Sequence, residues 1–233
     1  MATSVAMRIH PSRAGVAAVL SLVISVGACS SPPPPAVASG PTTSTERFQP
    51  TTWTFDKETV GGLPAGATSF FGQWAVRAEP GTPSAPNALC QTASADYPAM
   101  QLSNESHKDM SVTAQVKPIS GRTDQAAGVL LRIRDAKNYY IVRANALEGS
   151  VVIFKYVDGS RSEIRSGAVS VASGVWQQLR GEAIGTTLRG YLGGKLIVEA
   201  TDATFSEGRA GLWTKADSVT CFDDVVLAPV GGQ

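Results

Sequence analysis

From residue 51 onward the chain is written in short alternating runs of apolar and polar residues, each closed by turn residues. Residues 74–77, 110–116, 129–134, 139–143, 151–157, 188–192 and 196–200 are such runs. A period of two sends successive side chains to opposite faces of a sheet, the pattern of a strand with one face buried. Nowhere after residue 50 does an apolar helical period persist beyond two turns. Asp158-Gly159 and Gly193-Gly194 fall between runs, and both dipeptides supply the positive φ angles that tight hairpins require. Many antiparallel strands without helices predict one all-β domain, a two-sheet antiparallel sandwich over residues 51–230.

Composition permits such a core and limits the partners. The 233 residues are 43% hydrophobic and 17% charged, so the chain has enough apolar surface to bury. Twenty Lys and Arg stand against nineteen Asp and Glu, and no basic excess is available to hold a phosphate backbone. Nucleic acid is therefore excluded as the expected partner. With His10 and His107 the only histidines, neither a His-rich metal centre nor a His-based triad is supported. His107 lies in the polar stretch Asn104-Glu105-Ser106-His107-Lys108-Asp109 and reads as a surface residue.

The N-terminal residues read as an address. Arg8, His10 and Arg13 precede an apolar run over residues 14–28, the order of a secretory signal. A spanning helix needs about 20 apolar residues, and this run is shorter. The run closes with Val26-Gly27-Ala28-Cys29, which resembles the bacterial lipobox. That resemblance implies removal of residues 1–28 and acylation of Cys29, giving a lipoprotein held at the cell envelope. Ser30 after the cysteine resembles the outer-membrane rule of diderm bacteria. Residues 29–50, with Pro32-Pro33-Pro34-Pro35 and many Ser and Thr, read as a semi-extended tether.

If Cys29 carries lipid, Cys90 and Cys221 remain, both within strand-like segments. An exported domain with two cysteines left is expected to join them in a disulfide, and two buried free thiols are the alternative.

Alternation also assigns sides. Val129, Leu131 and Ile133 are expected in the core, with Arg132 and Arg134 on the opposite face. Tyr140 and Val142 face inward in the next run, with Tyr139 and Arg143 outward. Leu212 faces inward, leaving Trp213 and Lys215 outside. Three strands thus offer one outer face carrying arginines and large aromatics. Arg132, Arg143 and Trp213 are expected to project together from it, with Leu131, Val142 and Leu212 buried beneath.

Several stretches taken in order resemble a known bacterial group. They are Trp53-Thr54-Phe55-Asp56, the run over residues 128–145, Trp176-Gln177-Gln178-Leu179, Gly211-Leu212-Trp213-Thr214-Lys215-Ala216-Asp217-Ser218 and Phe222-Asp223-Asp224-Val225. Together they are similar to the concanavalin A-like, laminin-G-like jelly rolls of exported proteins. Those labelled family-16-glycosidase-like or 3-keto-disaccharide-hydrolase-like are the nearest in pattern. The resemblance implies two curved sheets, a concave face that receives carbohydrate, and first and last strands side by side, which fits a Cys90–Cys221 bridge.

A jelly roll hosts lectins, hydrolases and adhesion modules alike, so activity must be argued from residues. The Glu-x-Asp-x-x-Glu strand of family-16 glycosidases is absent. Glu182 and Glu199 lie in strands, but nothing in the sequence brings them to the roughly 5–9.5 Å that glycosidase carboxyl pairs need. Resemblance to the 3-keto-disaccharide group implies another chemistry, cleavage of a 3-keto-glycoside with cations stabilising an enolate. A non-catalytic envelope scaffold is a third reading. Carbohydrate binding asks least: an aromatic platform to stack on sugar, with Arg and Lys bonding its hydroxyls. Arg132, Arg134, Tyr139, Arg143, Trp213 and Lys215 are the residues expected to do this. No cofactor is expected beyond a calcium ion, for which Asp217, Asp223 and Asp224 are the candidate oxygen ligands.

Overall fold

The structure, a computed structural model, describes residues 48–230. Its early strands are short: β1 (Thr51–Trp53), β2 (Thr68–Phe71), β3 (Trp74–Ala78), β4 (Asn87–Gln91) and β5 (Ala99–Gln101). Long strands follow as β6 (Met110–Ser120), β7 (Ala126–Asp135), β8 (Asn138–Asn145), β9 (Ser150–Val157) and β10 (Ser160–Ala168). The last are β11 (Gln177–Ile184), β12 (Thr187–Leu192), β13 (Lys195–Thr201), β14 (Arg209–Trp213) and β15 (Val219–Ala228). No helix occurs among the described residues.

The strands form two antiparallel sheets. The first runs β13-β12-β11-β6-β15-β4-β3, with β1 also on β15; the second runs β10-β9-β8-β7-β14-β5-β2. Hairpins build β13-β12-β11 and β4-β3 in the first sheet and β10-β9-β8-β7 in the second, whose other side pairs the non-consecutive β14, β5 and β2. The centre of each sheet joins distant parts of the chain, β6 to β15 in one and β7 to β14 in the other. Both expected tight turns are present: Asp158 and Gly159 have φ of 50° and 85°, and Gly193 and Gly194 have 57° and 78°.

The main core lies between the sheets. Val112, Ala114, Val116, Leu179 and Leu188 from the first sheet join Val129, Leu131, Tyr140, Val142, Val151 and Leu212 from the second. Gly181 of β11 faces Val129, Leu131 and Val142 across the gap, so the sheets approach closely there. Each such buried aliphatic side chain stabilises the fold by roughly 1.5–3 kcal/mol relative to exposure. The expected inward set Leu131, Val142 and Leu212 is therefore correct.

One inward assignment is not. Ile133 packs with the outer-face cluster of the second sheet, because the register between β7 and its neighbours breaks after Leu131. Arg132 sits at that break with φ of 53°, in the left-handed region, and shifts the alternation by one residue.

Cys90 of β4 and Cys221 of β15 are direct cross-strand partners and form a disulfide, with Cα atoms 4.1 Å apart. It lies on the outer side of the first sheet with Ala88, Ile119 and Trp176. The chain between the two cysteines spans 131 positions, so the bridge constrains most of the domain.

Candidate functional site

The two outer faces differ in chemistry. The first sheet shows a solvated polar ladder. Arg180 Nη2 lies 3.2 Å from Glu182 Oε1 and its guanidinium 4.0 Å from the Tyr191 ring, while the Tyr191 hydroxyl donates to Glu182 at 2.7 Å. Glu182 and Glu199 flank Arg189 on successive strands, and Arg189 pairs with Glu199. Two strand spacings, about 10 Å, separate their backbones. The two carboxylates are thus divided by a cation and do not form a glycosidase pair.

The outer face of the second sheet is apolar and aromatic. Ala126, Leu130, Ile141 and Val152 form its floor, and Tyr139, Phe154, Tyr156 and Trp213 rise from it. Tyr139 stacks on Tyr156 with centroids 4.9 Å apart, and Tyr97 stacks on Trp213 at 6.0 Å. Two arginines lie among the rings. The Arg143 guanidinium is 5.3 Å from the Phe154 ring, and its Nη1 donates to Glu148 Oε2 at 2.7 Å. Arg161 of β10, cross-strand from Tyr156, stands 4.5 Å from Phe154, 4.9 Å from Tyr97 and 5.7 Å from Trp213.

Polar groups are sealed within this cluster. Arg143 Nε and Arg161 Nη1 are buried and have no hydrogen-bond partner among the described residues, while Tyr139 Oη and the Trp213 indole N–H are buried against each other. Burial, reinforced by the Tyr156 phenol, pushes the Tyr139 hydroxyl well above its ordinary range, so it stays protonated. Unpaired buried donors are rare in folded proteins and costly, so each calls for a physical account.

At one end of the face lies a charged group. Lys215 Nζ is 3.0 Å from Asp124 Oδ2, and Asn145 Nδ2 donates to Asp124 Oδ1 at 2.7 Å. Burial works to raise the Glu148 carboxyl, but the Arg143 hydrogen bond outweighs it and holds the group below its ordinary value. These pairs offer both donors and acceptors beside the rings.

Of the expected sugar-binding residues, Tyr139, Arg143 and Trp213 do share this face, and Lys215 borders it. Trp213 is nevertheless fully buried, because Tyr97 and Arg161 pack against the indole. It does not present the open stacking surface the alternation implied. Arg132 is displaced altogether. The turn of the backbone at the bulge carries its guanidinium to the end of the sandwich, where Nε donates to the Lys108 carbonyl and Nη1 to that of Phe205, both at 2.8 Å. There it lines a separate cavity of about 400 Å³ with Lys108, Asp109 and Phe205. Arg134 is exposed, and its carbonyl accepts from Arg209.

The proposed calcium ligands do not converge. Asp217 accepts backbone N–H bonds from Arg122, Thr123 and Asp124 at 2.7–3.1 Å and caps the turn after β6. Asp223 accepts from the Ser84 amide and hydroxyl and from the Asp224 amide. Among the described residues the group with converging ligand atoms is Glu79, Cys90 and Cys221, and its two sulfurs are already bonded to each other.

No protein-family model matches the chain. A stretch of 127 residues, 53% of the chain, is 30% identical to the levanase of Bacillus subtilis (strain 168); the match spans 18% of that enzyme. Among solved structures, the carbohydrate-binding module CBM66 from Bacillus subtilis is 25% identical, with a TM-score of 0.60 over 70% of this chain and 95% of the module. The β-glucanase of Bacillus licheniformis is 13% identical, with a TM-score of 0.52 over 80% of this chain and all of that one.

The domain is a concanavalin A-like jelly roll.

In this jelly roll several site residues are missing from the set that alternation singles out. Arg161 was accessible in principle, since the Asp158-Gly159 turn sets the register that places it opposite Tyr156. Tyr97 was not, because it comes from the segment between β4 and β5 and reaches the jelly roll's outer face only through tertiary packing. Asp124 and Glu148 lie beside turns, where alternation carries no information.

Proposed function

We propose that this jelly roll binds carbohydrate on the aromatic outer face of its second sheet, in an exported protein anchored to the bacterial envelope through acylated Cys29. One observation carries the reading: Arg143 and Arg161, each with a buried N–H that has no partner among the described residues, are set among five aromatic rings on a face that would otherwise be solvated. Sugar rings meet such a surface with apolar C–H faces and a rim of hydroxyls, which suits aromatics interleaved with arginine, lysine and carboxylate. The identity to a levanase and to a carbohydrate-binding module supports the reading and makes levan the first polysaccharide to try.

Affinity electrophoresis of the full-length protein against levan and a panel of plant and bacterial polysaccharides tests it. Retardation by at least one polysaccharide, weakened about tenfold or more by Arg143→Ala, is the expected result. Folded protein that migrates unchanged through the whole panel would overturn it. Residues 1–47, including Cys29, lie outside the described residues. The anchor is tested by Cys29→Ser, which should move the protein from the detergent phase to the aqueous phase, and by the acyl mass on the wild type.

A further inference from the structure

Arg161 differs from the other cations of the aromatic face in having no carboxylate. Arg143 is paired with Glu148 and Lys215 with Asp124, so each contributes little net charge. Arg161 makes no ion pair among the described residues, although Glu163 shares its side of β10 and Asp96 lies near the Tyr156 ring. Its guanidinium is instead packed against Phe154, Tyr97 and Trp213 within 6 Å, with Nη1 sealed from water and the side chain half-buried. Aromatic faces hold a guanidinium in place and strip the water above and below its plane, but they cannot satisfy its N–H edge. A planar, two-oxygen anion does so with two parallel hydrogen bonds to Nε and Nη2, neither of which is among the sealed atoms, and the preset orientation of the fork keeps the ordering cost low.

We propose that the carbohydrate received here carries a carboxylate, as in a uronic-acid glycan, and that Arg161 takes that carboxylate. The inference rests on the carbohydrate reading of this face and narrows it to a chemical class. A neutral glycan would leave the Arg161 edge to hydroxyl contacts, which match a guanidinium fork less well than a carboxylate does.

The test measures binding of the full-length protein to polygalacturonate, alginate and hyaluronate, to fully methyl-esterified polygalacturonate, and to levan, by titration calorimetry at low and at high salt. Binding of at least one acidic polymer is expected, with affinity falling about tenfold or more on esterification or with Arg161→Gln. Arg161→Lys should retain the charge but lose most of that preference, and thermal melts of both variants report whether the fold is intact. Binding to levan or to the ester as tight as to every acidic polymer overturns the carboxylate assignment and leaves the carbohydrate reading standing. So does an acid preference unchanged in a folded Arg161→Gln protein. Binding to none of these polymers, neutral or acidic, overturns the carboxylate assignment, and silence across the wider panel as well removes the carbohydrate reading.

Discussion

Trp213 rests on Gly128, its cross-strand partner between β14 and β7; a β-carbon at Gly128 would stand 3.2 Å from the indole Cε3 and 3.3 Å from the Trp213 Cβ. The absence of a side chain at Gly128 lets the indole settle on the sheet, where Tyr97 and Arg161 then close over it. Gly128→Val should lift the indole out of this place and cost about 1–3 kcal/mol, the usual range for overpacking. Tryptophan emission should shift to the red and urea denaturation should occur earlier. Unchanged emission and stability would contradict the packing described.

Truncating Trp213 and Leu212 separates the two layers of packing. Leu212 belongs to the core between the sheets and Trp213 to the outer cluster, and both are fully buried. Leu212→Ala should cost about 2–5 kcal/mol and Trp213→Ala about 3–5 kcal/mol of stability. Only Trp213→Ala should also weaken polysaccharide binding, once both variants are compared at a temperature where each is folded. A binding loss shared equally by the two would place the ligand elsewhere.

Arg132 is a structural tie at the end of the sandwich. Replacement by Ala leaves the carbonyls of Lys108 and Phe205 without their charged donor, at a cost of about 3 kcal/mol. Binding by the folded variant should match the wild type, which calorimetry on matched samples would check.

Reduction of Cys90–Cys221, or the double change to Ser, should lower stability by about 2–4 kcal/mol through the denatured state. Each kcal/mol corresponds to roughly 2–4 °C in Tm for a domain of this size. Cysteines at both positions that react with a thiol reagent in denatured, unreduced protein would show the bond is missing.

Stability should fall at both pH extremes around Asp202. Burial tends to raise its carboxyl, but hydrogen bonds from Lys155, Thr204 and Tyr140 outweigh it and hold the group well below the usual carboxylate range. A depressed folded value means that this contribution is complete above the unfolded value near about 4 and is lost as pH falls below it. Tyr140 behaves oppositely: burial, then its bond to Asp202, pushes the phenol up to about 12. Its contribution is complete below about 10 and disappears as pH climbs from there toward about 12. Urea midpoints across pH should show both limbs, and Asp202→Asn should flatten the acid one.

The architecture was legible because it depends on local pattern. Alternation placed Leu131, Val142 and Leu212 inside, and Asp158-Gly159 and Gly193-Gly194 turned where expected. Cys90 and Cys221, the pair left once Cys29 is set aside, met across β4 and β15. The failures at Trp213, Asp217 and Asp223 share a cause: each concerns a residue whose surroundings come from elsewhere in the chain. Asp217 and Asp223 looked like free carboxylates until Arg122 and Ser84 brought backbone amides to them.

The face that carries the site divides along the same line. Period-two alternation is a property of consecutive residues, so the sequence alone determined that Tyr139, Arg143 and Trp213 point away from the inter-sheet core. Tertiary structure decided what lies over them. The left-handed turn at Arg132 removed one expected arginine, since a single-residue bulge reverses the side taken by each later residue of the strand. The packing of Tyr97 and Arg161 against Trp213 joined three segments far apart in the chain, and burial is a sum over such neighbours that no local pattern encodes.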